Sequence, residues 1–341
     1  MSAYLSGIET GNACLRAALL LLATDPVRAC RHEAQTEEPA RMSCARRLAW
    51  TLRLTCAYRG VGWSCQIAHL PPRPTSTRSG FVASRLFRIA LHALCLDVVH
   101  SYMSVDPLFS GTRAAADAQR QRRPALFVFA SALALAHFYA TFNIAYDATA
   151  LAAVATRCSA PAAWPAAFGR WADAYTVRRF WGRTWHQQLR WLLGGLGAAL
   201  ARALGCARGS WASAHVQLGA AFALSGAAHA CGDAVLALPG ASARFFLAQA
   251  AVITLEDALV AGGARLGVPD APAVRVCGFV WTAAWMLWSN AWLGLAGPQL
   301  RAGYLGEQVA TVSVVRPVLR YVAAATGMDV LKSIETLIQG A

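Results

Sequence analysis

The sequence predicts an all-α, polytopic integral membrane bundle of about six to eight helices, each needing about 20 mostly apolar residues to cross a bilayer. Three observations carry that expectation. Of 341 residues, 57% are hydrophobic and 14% are charged, with a mean hydropathy of +0.40, whereas soluble domains carry roughly a quarter charged residues. Apolar windows that reach or approach the spanning length recur along the chain. The stretches between them are arginine-dotted and contain proline, as expected of segments outside the hydrocarbon. The whole of residues 1–341 reads as one membrane domain.

Taken in order, residues 3–24 end in the apolar run ACLRAALLLLAT, but Glu9 and Arg16 make this a marginal span. Residues 25–80 are polar, and LPPRP at 70–74 favours an extended loop. Residues 81–103 are long enough to span. Arg85, Arg88 and His92 recur there at helical spacing and mark one polar face, expected to look into the bundle or lie at the interface. Pro124 precedes the apolar stretch 125–155, whose His137, Asn143 and Asp147 should avoid lipid. Residues 157–188 form a second polar segment. The run WLLGGLGAALARALG at 191–205 is short and glycine-rich, which suggests re-entrant or interfacial placement. Residues 213–238, 245–263 and 274–297 are better spans. The tail from 299 carries Arg316, Pro317 and Arg320 inside its longest apolar stretch. No internal repeat is visible.

The formal charge of +14 rests on arginine, because Lys332 is the only lysine. Arginine-rich loops favour the cytoplasmic side and suit anionic lipid or a phosphorylated cosubstrate. Nucleic acid is a poor fit, since no soluble basic domain is visible. The ten cysteines stand singly, without a C-x-x-C pair or zinc-site spacing, so no metal is expected. Most read as small buried apolar residues. The amino terminus lacks a basic region followed by an apolar core, so a cleaved signal peptide is not expected.

Chemistry concentrates in SGAAHACGD, Ser225 to Asp233, which sets an imidazole and a carboxylate inside an apolar span. Ionisable groups there are costly and usually face a cavity or a partner. His229 and Asp233 are four apart and share a helix face. Asp233 is thus placed to accept from one imidazole nitrogen while the other takes a proton. A polar pair that joins two helices fits the spacing equally well. A second segment, RRFWGRTWHQ at 178–187, combines basic and aromatic side chains. It reads either as an interfacial aromatic belt or as a site where Arg178, Arg179 and Arg183, beside Trp181 and Trp185, meet the phosphates of CoA while His186 joins His229. Glu256 and Asp257 interrupt FFLAQAAVITLEDALVAGG, with Gln249 on about the same face; balancing loop arginines is their expected role. Gly-x-Ser-x-Gly, phosphate-binding glycine and H-E-x-x-H motifs are absent, which removes support for serine hydrolase, nucleotide hydrolase and zinc protease readings.

These residues resemble the wax synthase-like branch of the membrane-bound O-acyltransferases, especially fungal enzymes that acetylate terpenoid and meroterpenoid alcohols. Five segments carry the likeness in order: RGVGWSCQIAHLPPRP (59–74), WPAAFGRWADAYTVRRFWGRTWHQ (164–187), SGAAHACGD (225–233), FFLAQAAVITLEDAL (245–259) and FVWTAAWMLW (279–288). They cover roughly residues 20–298, with the wax synthase-like part at 164–259. The resemblance implies that His229 is the intramembrane histidine and His186 the upstream Asn-or-His position. It implies acyl-CoA, in particular acetyl-CoA, as cosubstrate without a further cofactor, a lipophilic alcohol from secondary metabolism, and residence in the endoplasmic reticulum. Members of that family often begin with additional hydrophobic helices, whereas this chain enters the family-like region almost at once. A long-chain wax ester synthase, a proton-relaying transporter or binding protein, and an inactive scaffold are the competing readings.

Overall fold

A computed structural model describes residues 3–106, 109, 121–235, 237, 240–292 and 313–339. Ten principal helices run through them: α1 (Ala3–Ala18), α2 (Cys44–Cys56), α3 (Arg78–Met103), α4 (Pro124–Ala155), α5 (Arg190–Ala203), α6 (Trp211–Val235), α7 (Ala241–Arg265), α8 (Pro272–Trp292), α9 (Val315–Thr326) and α10 (Val330–Gln339). Among the described residues the only β-pairing is an isolated antiparallel bridge between His32 and Trp63. The all-α expectation is therefore met. Two of these helices, α4 and the Ser242–Arg265 part of α7, are long and apolar enough to cross a membrane. The expected six to eight spans are not reached by that criterion. The physical reason is visible in α3, which has 26 residues but carries Arg78, Arg85, Arg88 and Asp97, and in α6, whose 25 residues include His215, Gln217, His229 and Asp233. Residues 191–203 of the stretch 191–205 lie in helix α5.

The chain passes between two compact units, residues 1–74 with 162–286 and residues 75–161 with 287–341. In the first, α6 packs against α1, α5 and α7. The α1–α6 contact depends on a Gly-x-x-x-Gly pair. A Cβ on Gly7 would sit 2.6 Å from the Cys231 carbonyl oxygen, and one on Gly11 would sit 2.8 Å from the Ala228 Cα. Removing these side chains lets the helix backbones meet, the arrangement that drives helix association where no hydrophobic effect operates. The marginal span read at residues 3–24 thus becomes a helix seated beside the one that carries His229. Gly7→Leu should force the helices apart at a cost of about 1–3 kcal/mol. Size-exclusion of detergent-solubilised protein across a temperature series checks this; an unchanged melting midpoint would place the contact elsewhere.

In the second unit α3 and α4 lie side by side, and the polar face of α3 turns toward the polar residues of α4. Arg85 and Arg88 both pair with the fully buried Asp147 carboxylate, the latter at 2.9 Å, and Arg88 also donates to the Asn143 amide oxygen at 3.3 Å. Nearer the other end of α3, His100 Nε2 lies 3.0 Å from His137 Nδ1. Polar groups that had to avoid lipid do so by meeting one another. Asp97 Oδ2 accepts from the backbone N–H groups of Val314 and Val315 at 2.7 and 2.9 Å, which caps the amino end of α9.

The cysteines depart from expectation. Only Cys30 is buried, Cys65 and Cys206 are intermediate, and the other seven are exposed.

Candidate active site

The segment before α5 is held in place by α7. Glu256 reaches across with both carboxylate oxygens, accepting from the Val177 and Arg178 backbone N–H groups at 2.8 and 3.0 Å and from the Trp281 indole at 3.2 Å. Thr176 adds a side-chain cap to Arg179 N at 3.0 Å. These acceptors satisfy the amino end of the short helix Val177–Arg179, which runs into a π-helical turn, Phe180–Thr184. Such turns recur at functional sites because they re-aim the following residues. Gly169 makes the turn fit: its N–H donates to Thr184 O at 2.8 Å, and a Cβ there would lie 1.8 Å from the Arg183 carbonyl oxygen. Gln187, almost fully buried, closes the segment by donating to the Trp181 and Trp185 carbonyls at 3.1 and 2.6 Å and accepting from Arg190 at 3.1 Å.

Those constraints aim His186 toward α6. Its imidazole packs edge-on against Phe168 with centroids 6.0 Å apart and lies beside Trp185 at 5.8 Å. Burial first, then the proximity of His229 and Arg59, push its pKa down to about 4, so it is a neutral imidazole at physiological pH. His229 packs on Phe246 with centroids 4.6 Å apart, and Phe246 in turn meets Trp181 at 6.1 Å. Trp181 donates its indole N–H to Gln249 Oε1 at 3.2 Å, an oxygen that also accepts from Trp285 at 2.9 Å. His229 is near enough to act electrostatically on His186, and Trp181, which meets both Trp185 and Phe246, links the aromatic surroundings of the two. Both histidines are half-buried.

Asp233 does not orient the His229 ring, contrary to the helical-spacing argument. His229 Nδ1 lies 2.8 Å from the Ser225 carbonyl oxygen. A carbonyl can only accept, so Nδ1 carries the proton and Nε2 keeps its lone pair. Asp233 is buried and turned to α7 instead, accepting from the Ser242 N–H at 2.7 Å and the Ser242 hydroxyl at 2.8 Å. Spacing of four along a helix permits a contact without requiring it, and the backbone donor at the start of α7 is the stronger claimant on a buried carboxylate.

The arginines divide in a similar way. Arg178 forms a two-point ion pair with Asp257, which also lies 3.2 Å from His215 Nε2, so it is already balanced and poorly placed to take up a phosphate. Arg179 lies over the Tyr175 ring at 4.3 Å and is 3.9 Å from Asp173. Arg183 has no ion-pair partner among the described residues. The His69 pKa is lowered by desolvation and then by the charges of Arg183, Arg190 and Arg179, with Asp173 acting in the opposite direction. This surplus of positive charge is the feature of the site best suited to an anionic ligand. His69 and Arg190 were not singled out by sequence reasoning, nor was Arg59. The last is buried and donates to the Ala166 and Pro165 carbonyls at 2.6 and 2.8 Å, fixing the irregular segment that leads into the site. Their only sequence signal is inclusion in, or adjacency to, the two loop segments that carry the family likeness.

Residues 164–248 match the family model described as the membrane bound O-acyl transferase family. Acetyltransferase ple2 of Rhodocybe pseudopiperita is 36% identical over 74% of this chain and 67% of its own length. Acetyltransferase eriL of Hericium erinaceus is 32% identical, over 77% of this chain and 69% of its own. O-Mevalon transferase macI of Penicillium terrestre is 31% identical over 85% and 72%. No solved structure matches the chain.

Proposed function

Because the chain belongs to the membrane bound O-acyl transferase family, and is therefore an acyltransferase, we propose that it moves an acetyl group from acetyl-CoA to the hydroxyl of a lipophilic terpenoid or meroterpenoid alcohol. The observation that carries the chemistry is the His229 tautomer: with Nδ1 bonded to the Ser225 carbonyl, Nε2 is the basic atom and lies in the same site as His186. Nε2 takes the proton from the acceptor hydroxyl as its oxygen attacks the thioester carbonyl, so transfer is direct and no acyl-enzyme forms. The neutral His186 imidazole donates to the developing oxyanion. Collapse of the tetrahedral species expels the CoA thiolate, which recovers a proton from the His229 imidazolium. Trp181, Trp185 and Phe246 wall off water, and Asp233 serves by anchoring the start of α7. The names of the two acetyltransferase relatives support an acetyl donor.

Arg183, with Arg179, Arg190 and His69, supplies the surface for the CoA phosphates; Arg178 stabilises α7 instead. Arg183→Glu should raise KM for acetyl-CoA about tenfold or more, as expected if one charged contact of about 1.5–3 kcal/mol is lost, with KM for the alcohol little changed. Steady-state kinetics with each substrate varied in turn checks this. An equal rise in both constants would give the arginine a structural role only.

Several helices crossing the bilayer would let an apolar alcohol enter from lipid and polar CoA from the cytosolic face. Support for more than two spans comes from outward-facing apolar stripes. On α3, Phe87, Leu91, Leu94 and Val98 are exposed on a different face from Arg85, Arg88 and His92; on α8, Val276, Val280 and Trp288 are exposed. Residence in the endoplasmic reticulum accords with such substrates.

A further inference from the structure

We infer that Cys30 and Cys65 are a reversible redox pair, closing into a disulfide by exchange with glutathione disulfide. The backbone bonding on either side of His32 and Trp63 brings their two segments together. His32 pairs with Trp63 in the antiparallel bridge, Glu33 N donates to Gly62 O at 2.7 Å and Ser64 N donates to Arg31 O at 2.7 Å. Arg31 N also donates to the Ser64 hydroxyl at 3.0 Å, so the immediate neighbours of Cys30 and Cys65 are bonded to each other. Cys65 packs on the small cluster formed by Cys30, Trp50, Leu54 and Trp63.

Their environments differ as a reacting pair requires. The Cys65 thiol holds the Cys30 pKa below the ordinary thiol range, with help from Arg31, while the same contact and burial raise that of Cys65. Cys30 is the better nucleophile but is enclosed; Cys65 is partly exposed and within reach of a small disulfide. Cys65, once its proton has passed to solvent, attacks one sulfur of glutathione disulfide and releases a first glutathione. The Cys30 thiolate then attacks the Cys65 sulfur of the mixed disulfide and expels the second. Two thiols are oxidised and one glutathione disulfide is reduced to two glutathiones. The bond ties the segment after Pro26–Ala29 to the turn that follows Arg59, the residue that grips the Pro165 and Ala166 carbonyls near His186.

The full chain in membranes, treated with glutathione disulfide, alkylated, solubilised and digested with trypsin, provides the test. The expected product joins the tripeptide Ala29–Arg31 to Gly60–Arg78, is absent after dithiothreitol, and is absent in Cys65→Ser. The exposed Cys44 and Cys56 should acquire glutathione without internal cross-links. Recovery of Cys30 and Cys65 as separate alkylated or glutathionylated peptides, in protein that remains monodisperse, would overturn the pairing.

Discussion

His229→Ala should lower kcat for acyl transfer by about 10²–10⁴, the usual worth of a positioned general base, while the protein still inserts, solubilises and elutes as the wild type does. The separation of activity from folding follows from where the side chain sits. The residue is half-buried, its ring packs on Phe246, and Nδ1 bonds to a carbonyl of its own helix. Removing it therefore strands no buried charge on another element. KM for acetyl-CoA should move little, since the basic surface around His69 is untouched. His229→Gln sharpens the result. A glutamine retains size and polarity but cannot accept a proton near neutral pH, so it should be nearly as inactive as the alanine variant. Substantial turnover by either variant contradicts the assignment of the base.

Asp147→Ala should have the opposite character, loss of the folded protein rather than loss of chemistry. Asp147 is fully buried and pairs with both Arg85 and Arg88. Breaking a buried pair by deleting one partner costs about 3–5 kcal/mol because the remaining charge is left uncompensated, and here two guanidinium groups are left. The α3–α4 contact is the main packing between helices in its unit, so detergent-solubilised Asp147→Ala should aggregate or be degraded. Fluorescence-detected size-exclusion measures this directly. The triple replacement of Asp147, Arg85 and Arg88 by apolar residues should recover part of the monodisperse peak, because no charge then remains buried. A single Asp147→Ala variant as stable as wild type would show that the arginines find water.

Much of this arrangement is legible in the chain, for identifiable physical reasons. Helical spacing of Arg85, Arg88 and His92 announces a polar face, and the polar residues of α4 announce where it must turn, since lipid offers neither of them a partner. Pairing of Glu256 and Asp257 with the loop before α5 follows from the same need; the ion pair with Arg178 bears out the balancing role, though not the gift of two backbone N–H groups to Glu256. The intramembrane cost of an imidazole likewise brings His229 forward. What spacing does not reveal is which partner an available group selects. Asp233 turns to the start of α7, and Ser225, at the other end of the same short motif, orients the histidine. Neither choice can be read from periodicity, because both depend on how α7 returns against α6. The surface around His69 is hidden for the same reason: His69 and Arg190 stand 121 residues apart in number, and the charge of Arg190 acts on His69 only through the fold. The cysteines were misjudged because small apolar character favours burial in water, whereas in this chain thiols also occupy exposed helix faces.

Transfer of label from radiolabelled acetyl-CoA in microsomes expressing the chain, supplied with a panel of terpenoid and fatty alcohols, tests the central claim most directly. The account predicts a labelled acetate ester from a terpenoid alcohol, absent with His229→Ala and without accumulation of a labelled protein intermediate. No ester from well-inserted protein, a preference for long-chain acyl-CoA with a fatty alcohol, or labelled protein that persists when the alcohol is withheld would contradict it.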